Sequence, residues 1–326
     1  QGVRELRLRS AGRSDGERAG GSGYGLIAIN SSGNTGDFNL RPGRGLPGDL
    51  PLLRLPAAVH MVHSWSAHSP GHRPSVAGRF LSNGAYAYIG SVSEPFLHAF
   101  QPTPVVAARL VSSAPWGVVG RHDGGSPWKV AVFGDPLMTM GPAEHRAEGA
   151  VPLEGATPLR PLLAGALKAL DFADAARMLS MLGDDANAAR LAAVLAREDG
   201  AGLRAAAASL AMSSFFAGDT GAFVPAATAA LDDPAQAAAH PMIKDAAWHV
   251  LWPNVRTLRR PELELLRRCV RADQVARDTG ELGAAIEMAE GAGAGRAFIQ
   301  QSRAGVGDEQ SRALMDEAFE QTLMGK

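Results

Sequence analysis

The sequence predicts an α/β domain followed by an all-α region, on three observations. Short apolar segments at Leu26 to Asn30, Ala57 to His63, Tyr86 to Ser91 and Lys129 to Phe133 alternate with segments of helical spacing. Strands alternating with helices read as a parallel sheet with helices on its faces. A stretch rich in Pro, Gly and Glu, from Gly141 to Pro161, then breaks the pattern. Beyond it, from Leu162 to Leu323, Ala and Leu recur at helical spacing and no strand pattern is left. The expected organisation is a helix tail and flexible linker at 1–25, the α/β domain at 26–140, a linker at 141–161 and the helical domain at 162–326.

Taken in order, QGVRELRLRS reads as the end of a helix, and Ser10 to Gly25, rich in Gly, Ser and Arg, as a flexible connection. LIAIN (Leu26 to Asn30) is the first strand and SSGNTGDF the loop after it. Asn39 to Pro56 is dense in Gly and Pro and reads as a long irregular crossover at the edge of a site. Ala57 to His63 is the second strand, an apolar run that stops at polar residues. Pro74 to Asn83 has helical spacing, with Pro near its first turn and Gly84 just past its end. Tyr86 to Ser91 is the third strand, Thr103 to Ser112 a second short helix, and Lys129 to Phe133 a fourth strand expected to run parallel to the others. In the second half, Leu167 to Leu179, Phe215 to Leu231 and Val275 to Ala289 look alike. Each sets a small acidic or Gly turn before an Ala-rich helix, the pattern of stacked helical hairpins of tetratricopeptide type. The spacing between copies is irregular, so a plain helical bundle is the alternative.

The chain has 326 residues, and its 32 Lys and Arg balance 33 Asp and Glu. That length accommodates two domains, and the balance gives no electrostatic case for nucleic acid or an anionic membrane as partner. No apolar run reaches the roughly 18 residues that a membrane helix needs. Cys269 is the only cysteine, which excludes an internal disulfide. Its setting in LELLRRCVRADQVA is helical, where it reads as a small buried hydrophobe rather than a nucleophile. The chain opens on Gln1 without a signal-peptide pattern, as expected for a piece of a longer or processed protein. No cofactor is expected. The helical half is expected to supply a surface for a protein partner.

A strand running into Ser32-Gly33, a strand ending in small polar residues, a helix, GAYAYIGSVSEP (Gly84 to Pro95), a helix and FGDPLM (Phe133 to Met138) follow one another. This order resembles the C-terminal part of caspase-like cysteine peptidase domains of the gingipain type, over roughly Leu26 to Met138. The resemblance implies a caspase-like parallel sheet flanked by helices, of which the N-terminal side can lie outside this sequence. In such domains the first of these strands ends in a turn carrying the catalytic His and the next ends in the catalytic Cys. Here Asn34 stands at the histidine position, and the cysteine position falls on Ser64, Trp65 or Ser66. A cysteine peptidase needs a thiolate made by a nearby base, and neither group is in place. The resemblance therefore implies a degenerate peptidase acting in binding or scaffolding, and is compatible with an extracytoplasmic or cell-surface setting.

The carboxyl ends of parallel strands are where α/β sheets place ligands, so the candidate residues are those beside them. Asn34, Trp65, Glu94 and Asp135 are the ligand-binding candidates. Ser64, Ser66, His68 and Glu94 are the catalytic ones, in a rival reading of a serine-dependent hydrolase with His68 as base. A third reading has the site completed by sequence upstream, which would leave an open sheet edge at Leu26 to Asn30. His60, His63, His68 and His72 crowd one stretch, but His60 and His63 face opposite sides of a strand, and structural or surface roles are favoured over a metal. His63 is badly placed to activate the adjacent Ser64 for the same reason. For Glu94 the bland role is to satisfy backbone donors before Pro95, and for Asp135 a strand-ending turn. His122 and Asp123 read as a polar, Gly-flanked loop without an assigned role. Trp248, His249 and Trp252 read as helical core, and Arg256, Arg259, Arg260, Arg267, Arg268 and Arg271 as a solvated face.

Overall fold

The computed structural model describes residues 25–40, 43–122, 129–140 and 158–325. The expected flexible segment before Gly25, Asp123 and most of the expected Gly141 to Pro161 linker lie outside these residues. Two compact units divide the chain between Thr157 and Pro158. The first is an α/β unit and the second is helical.

The α/β unit is built on four strands in the order β1 (Leu26–Asn30), β4 (Ala57–Val62), β5 (Ala85–Ser91), β6 (Val130–Phe133). β1, β4 and β5 are parallel. The side chains of β4 alternate between two cores, as strand geometry requires. Val59 and Met61 pack with Phe38, Val76, Phe80 and Tyr88 on one face, beneath α1 (Val76–Ser82). Ala58 packs with Ile89, Val106, Leu110, Trp116 and Val119 on the other, beneath α2 (Thr103–Val111) and α3 (Trp116–Val119). Ser75 starts α1 as an N-cap, accepting from the Gly78 amide at 3.1 Å. Among the described residues β1 is an edge of the sheet, paired only with β4.

Two features depart from the sequence reading. β6 is antiparallel to β5, with Tyr88 opposite Phe133 and Ser91 opposite Val130. The chain after β5 returns through α2 and α3 to the carboxyl end of the sheet before β6 begins. A four-residue apolar strand carries no mark of its direction. The expected irregular crossover contains a small antiparallel ribbon, β2 (Phe38–Leu40) with β3 (Gly43–Gly45). Strands of three residues, one of them Gly-Arg-Gly, are too short to show a period.

The helical unit runs through α4 (Leu159–Lys168), α5 (Phe172–Leu182), α6 (Asp185–Glu198), α7 (Gly200–Ala217), α8 (Thr220–Asp232), α9 (Pro234–Ala239), α10 (Met242–Leu251), α11 (Arg260–Arg268), α12 (Val275–Glu290), α13 (Ala294–Ser302) and α14 (Glu309–Met324). α4 begins inside the expected linker because Pro161 falls in its first turn, where a missing N–H costs nothing. Asp171, Asp184, Asp199, Asp219, Asp233 and Asp308 each accept a backbone amide as an N-cap. Gly183 and Gly218, both left-handed, end the helices before Asp184 and Asp219. Each Gly-Asp pair thus ends one helix and opens the next. Of the three look-alike segments, Phe215 to Leu231 follows this rule, and in Leu167 to Leu179, Leu170, at φ 57°, stands where the glycine would, before the N-cap Asp171. The third does not: Val275 to Ala289 lies within α12, and Asp278 and Gly280 are helical. Gly280 serves helix contact, since a Cβ there would meet the Met315 carbonyl oxygen of α14 at 2.2 Å. No helix among the described residues is long and apolar enough to cross a membrane.

Arg271 also departs from the expected solvated face. It is 3% exposed, and its guanidinium lies between Asp278 and Asp245, at 2.6 and 3.3 Å. Its ring contact is Trp248, with Cζ 5.4 Å from the centroid. Arg271 sits just beyond α11, where the chain turns inward to α12, so the helical spacing of its neighbours does not apply to it.

Candidate functional site

At the carboxyl ends of β1 and β4, the ladder continues for one bond, Ser31 N to the Val62 carbonyl at 3.0 Å. The chain then turns through Ser32 and Gly33. A side chain at Gly33 is excluded twice, by its φ of +149° and by the Asp37 carbonyl and His63 Nε2, 2.6 and 2.7 Å from where a Cβ would stand. Asn34 donates its amide to Asp37 Oδ1 at 2.6 Å, and Arg44 on β3 donates Nε and Nη2 to Asp37 Oδ2 at 2.9 and 2.5 Å. His63 Nε2 donates to the Asp37 carbonyl at 2.9 Å, which places the proton on that nitrogen. Burial lowers the His63 pKa, against the opposing pull of the Asp37 carbonyl and charge and of the Glu94 charge. Burial thus favours the neutral imidazole, while the two acidic groups favour the charged one.

The next residues form a second cluster. Ser91, at the end of β5, stitches the loop to the sheet: its Oγ accepts the Trp65 amide at 2.8 Å and lies 2.9 Å from both the His63 and Ser93 carbonyls. Its carbonyl accepts from the Ala67 amide at 2.7 Å. Trp65 adopts a left-handed φ of 62°, a strained state for a bulky residue. The strain delivers its indole to Glu94, whose Oε2 accepts from Trp65 Nε1 at 3.0 Å while Oε1 accepts from Ser64 Oγ at 2.9 Å. Lys129, just before β6, donates Nζ to the Glu94 carbonyl at 2.7 Å. His68 donates Nδ1 to the Val92 carbonyl at 3.1 Å and meets the Trp65 ring edge-on at 5.1 Å.

Of the expected site residues, Ser64, Trp65, Glu94 and His68 therefore come together. Asn34 belongs to the neighbouring Asp37–Arg44–His63 cluster. Ser66 is fully buried, its hydroxyl close to the phenol of Tyr88, whose pKa burial raises. Asp135 is elsewhere: because β6 runs antiparallel, it follows Phe133 at the opposite end of the sheet. There its Oδ1 accepts from the Leu137 amide at 2.9 Å, a strand-ending turn. His60 points to the other face, its Nδ1 3.4 Å from Thr103 Oγ1 on α2. Asp37, Arg44 and Ser91 are missed by sequence reasoning, and only the contact of distant loops reveals them.

Chemically, the cluster offers a hydrogen-bonded carboxylate and a half-buried indole. Ser64 donates to Glu94 and not to an imidazole, the group that takes the proton in serine hydrolases. Cys269 lies in the helical unit, fully buried, with its thiol pushed up to about 12 by desolvation. Among the described residues no three His, Cys, Asp or Glu side chains gather as metal ligands. A scan against protein-family models and searches of curated proteins and solved structures return no match for this chain.

Proposed function

We propose that this chain is a caspase-like domain of gingipain type without the cysteine–histidine dyad, joined to a helical unit for protein interaction. Its role is binding or scaffolding. One observation carries the reading: Ser64, one of the three residues on which the position of the peptidase nucleophile falls, donates its hydroxyl to Glu94. A hydroxyl that donates to a carboxylate and not to an imidazole departs from the serine-hydrolase arrangement and suits a binding group. The Gly-Asp punctuation of the helical unit supports a tetratricopeptide-like stack as its architecture.

The test is labelling of the purified chain with a fluorophosphonate probe, beside Ser64→Ala and Ser66→Ala variants. Absence of labelling is expected. Stoichiometric labelling lost in one variant would overturn the reading in favour of the serine hydrolase that uses Ser64 or Ser66 with His68. The reading in which upstream sequence completes a cysteine-peptidase site draws on β1 being an edge strand among the described residues. It predicts peptidase activity in a longer chain that this one lacks.

A further inference from the structure

We propose that a groove between α7 and α8 of the helical unit docks a partner segment carrying a carboxylate beside aliphatic side chains. This inference stands on the helical unit alone, whatever the chemistry of the α/β unit.

The groove is an open depression of about 410 Å³, lined by Leu203 of α7, Val224, Pro225 and Ala229 of α8, and Pro261 at the start of α11. That volume lies in the range of sites that take side chains or small ligands. Its floor is aliphatic and offers no aromatic platform, which suits Leu- or Ile-like groups.

The charge at the rim selects the rest of the occupant. Two charged residues line the groove, Arg204 and Asp232. Asp232 is paired with Arg268 of α11. Asp199, just before α7, is occupied as an N-cap, accepting from the Ala201 and Gly202 amides at 3.1 and 3.0 Å. Arg204 is exposed, and among the described residues its guanidinium has no hydrogen-bond or ion-pair partner. It extends over the first turn of α7, where a Cβ on Gly200 would stand 3.7 Å from its Nη1. Asp199 keeps its charge but does not line the groove, so among the lining residues the unpaired charge is positive. A guanidinium presents a planar fork of donors matched to a carboxylate. One such fork above an aliphatic floor fits an Asp or Glu side chain, or a chain-terminal carboxylate, next to Leu. A nucleic-acid backbone calls for a row of cations, and the groove has one.

The experiment measures fluorescence anisotropy of labelled synthetic peptides against the full chain. The probe alternates Leu with Asp; matched peptides carry Asn or Lys in place of Asp. The Asp peptide is expected to bind, with the Asn peptide about 10-fold weaker, the effect of one charge-assisted contact. Arg204→Glu is expected to lose the Asp peptide and gain the Lys peptide. Thr228→Trp, which fills the groove, is expected to abolish both, with circular dichroism of each variant unchanged. Equal binding of Asp and Asn peptides, indifference to Arg204→Glu, or no binding of the Asp peptide at millimolar concentration would overturn the proposal.

Discussion

Glu94 and Trp65 are joined by a hydrogen bond of 3.0 Å from the indole Nε1 to Oε2, and Trp65 holds a left-handed φ to make it. The same carboxylate takes the Ser64 hydroxyl on its other oxygen. Two loops that follow different strands are thereby closed on one another at the carboxyl edge of the sheet.

Glu94→Ala removes both acceptors. The Glu94 side chain is exposed, so the expected loss of stability is modest, about 1 kcal/mol. The local effect is larger. The indole N–H resonance of Trp65 is expected to shift and its solvent exchange to speed up in nuclear magnetic resonance spectra. Unchanged exchange would mean the bond does not hold the indole.

Gly33→Ala is expected to displace the turn that carries Asn34. The new methyl meets the Asp37 carbonyl and His63 together, in a backbone state that favours glycine. A cost of about 2–3 kcal/mol follows from strain plus the disturbed buried bond. Hydrogen exchange at β1 and β4 amides reports it without assuming that the two units unfold together.

His60 gives the α/β unit a pH dependence. Burial lowers its pKa from 6.5 to about 4. Because the folded-state value lies below the unfolded one, this contribution is fully present above 6.5 and is lost as pH falls toward 4. The amount is on the order of 3 kcal/mol. Urea unfolding of the α/β unit is expected to show this slope, and a His60→Gln variant to flatten it.

Arg271→Met strands Asp245 and Asp278, both fully buried, without their shared cation. Breaking such a pair from one side costs about 3–5 kcal/mol. Burial already raises the Asp278 pKa against the pull of Arg271, and the substitution is expected to raise it further. Adding Asp278→Asn to Arg271→Met is expected to recover part of the loss, read as the urea midpoint of the helical unit.

Cys269 is expected to resist iodoacetamide in the native chain and to react on unfolding. It is fully buried and its thiol stays protonated at neutral pH. Native labelling at the rate of a free thiol would contradict the packing around Trp248, whose indole donates to the Cys269 carbonyl at 3.0 Å.

Local pattern was enough for part of this. β1 coincides with the expected Leu26 to Asn30, and β4, β5, α1 and α2 fall within two residues of their expected bounds. Such segments announce themselves because a buried face repeats every two or 3.6 residues. The meeting of Ser64, Trp65, His68 and Glu94 was also legible, since strand ends in a parallel sheet share one edge. Where the chain's local signals were ambiguous, the reading failed: Gly280 looked like a turn and serves a helix contact.

The sequence by itself determined the α/β-then-helical order, the alternation of buried faces and the commitment of Cys269 to a core. These depend on neighbours a few residues apart. Tertiary structure alone decided that β6 runs antiparallel, which carries Asp135 to the far end of the sheet and brings Lys129 to Glu94. It alone set Asp37 against Arg44 and His63, and drew Arg271 inward between two aspartates. The physical reason is common to all of them. Strand direction and buried charge pairing are settled by groups far apart in the chain, through hydrogen bonds and desolvation that exist only once the elements have packed.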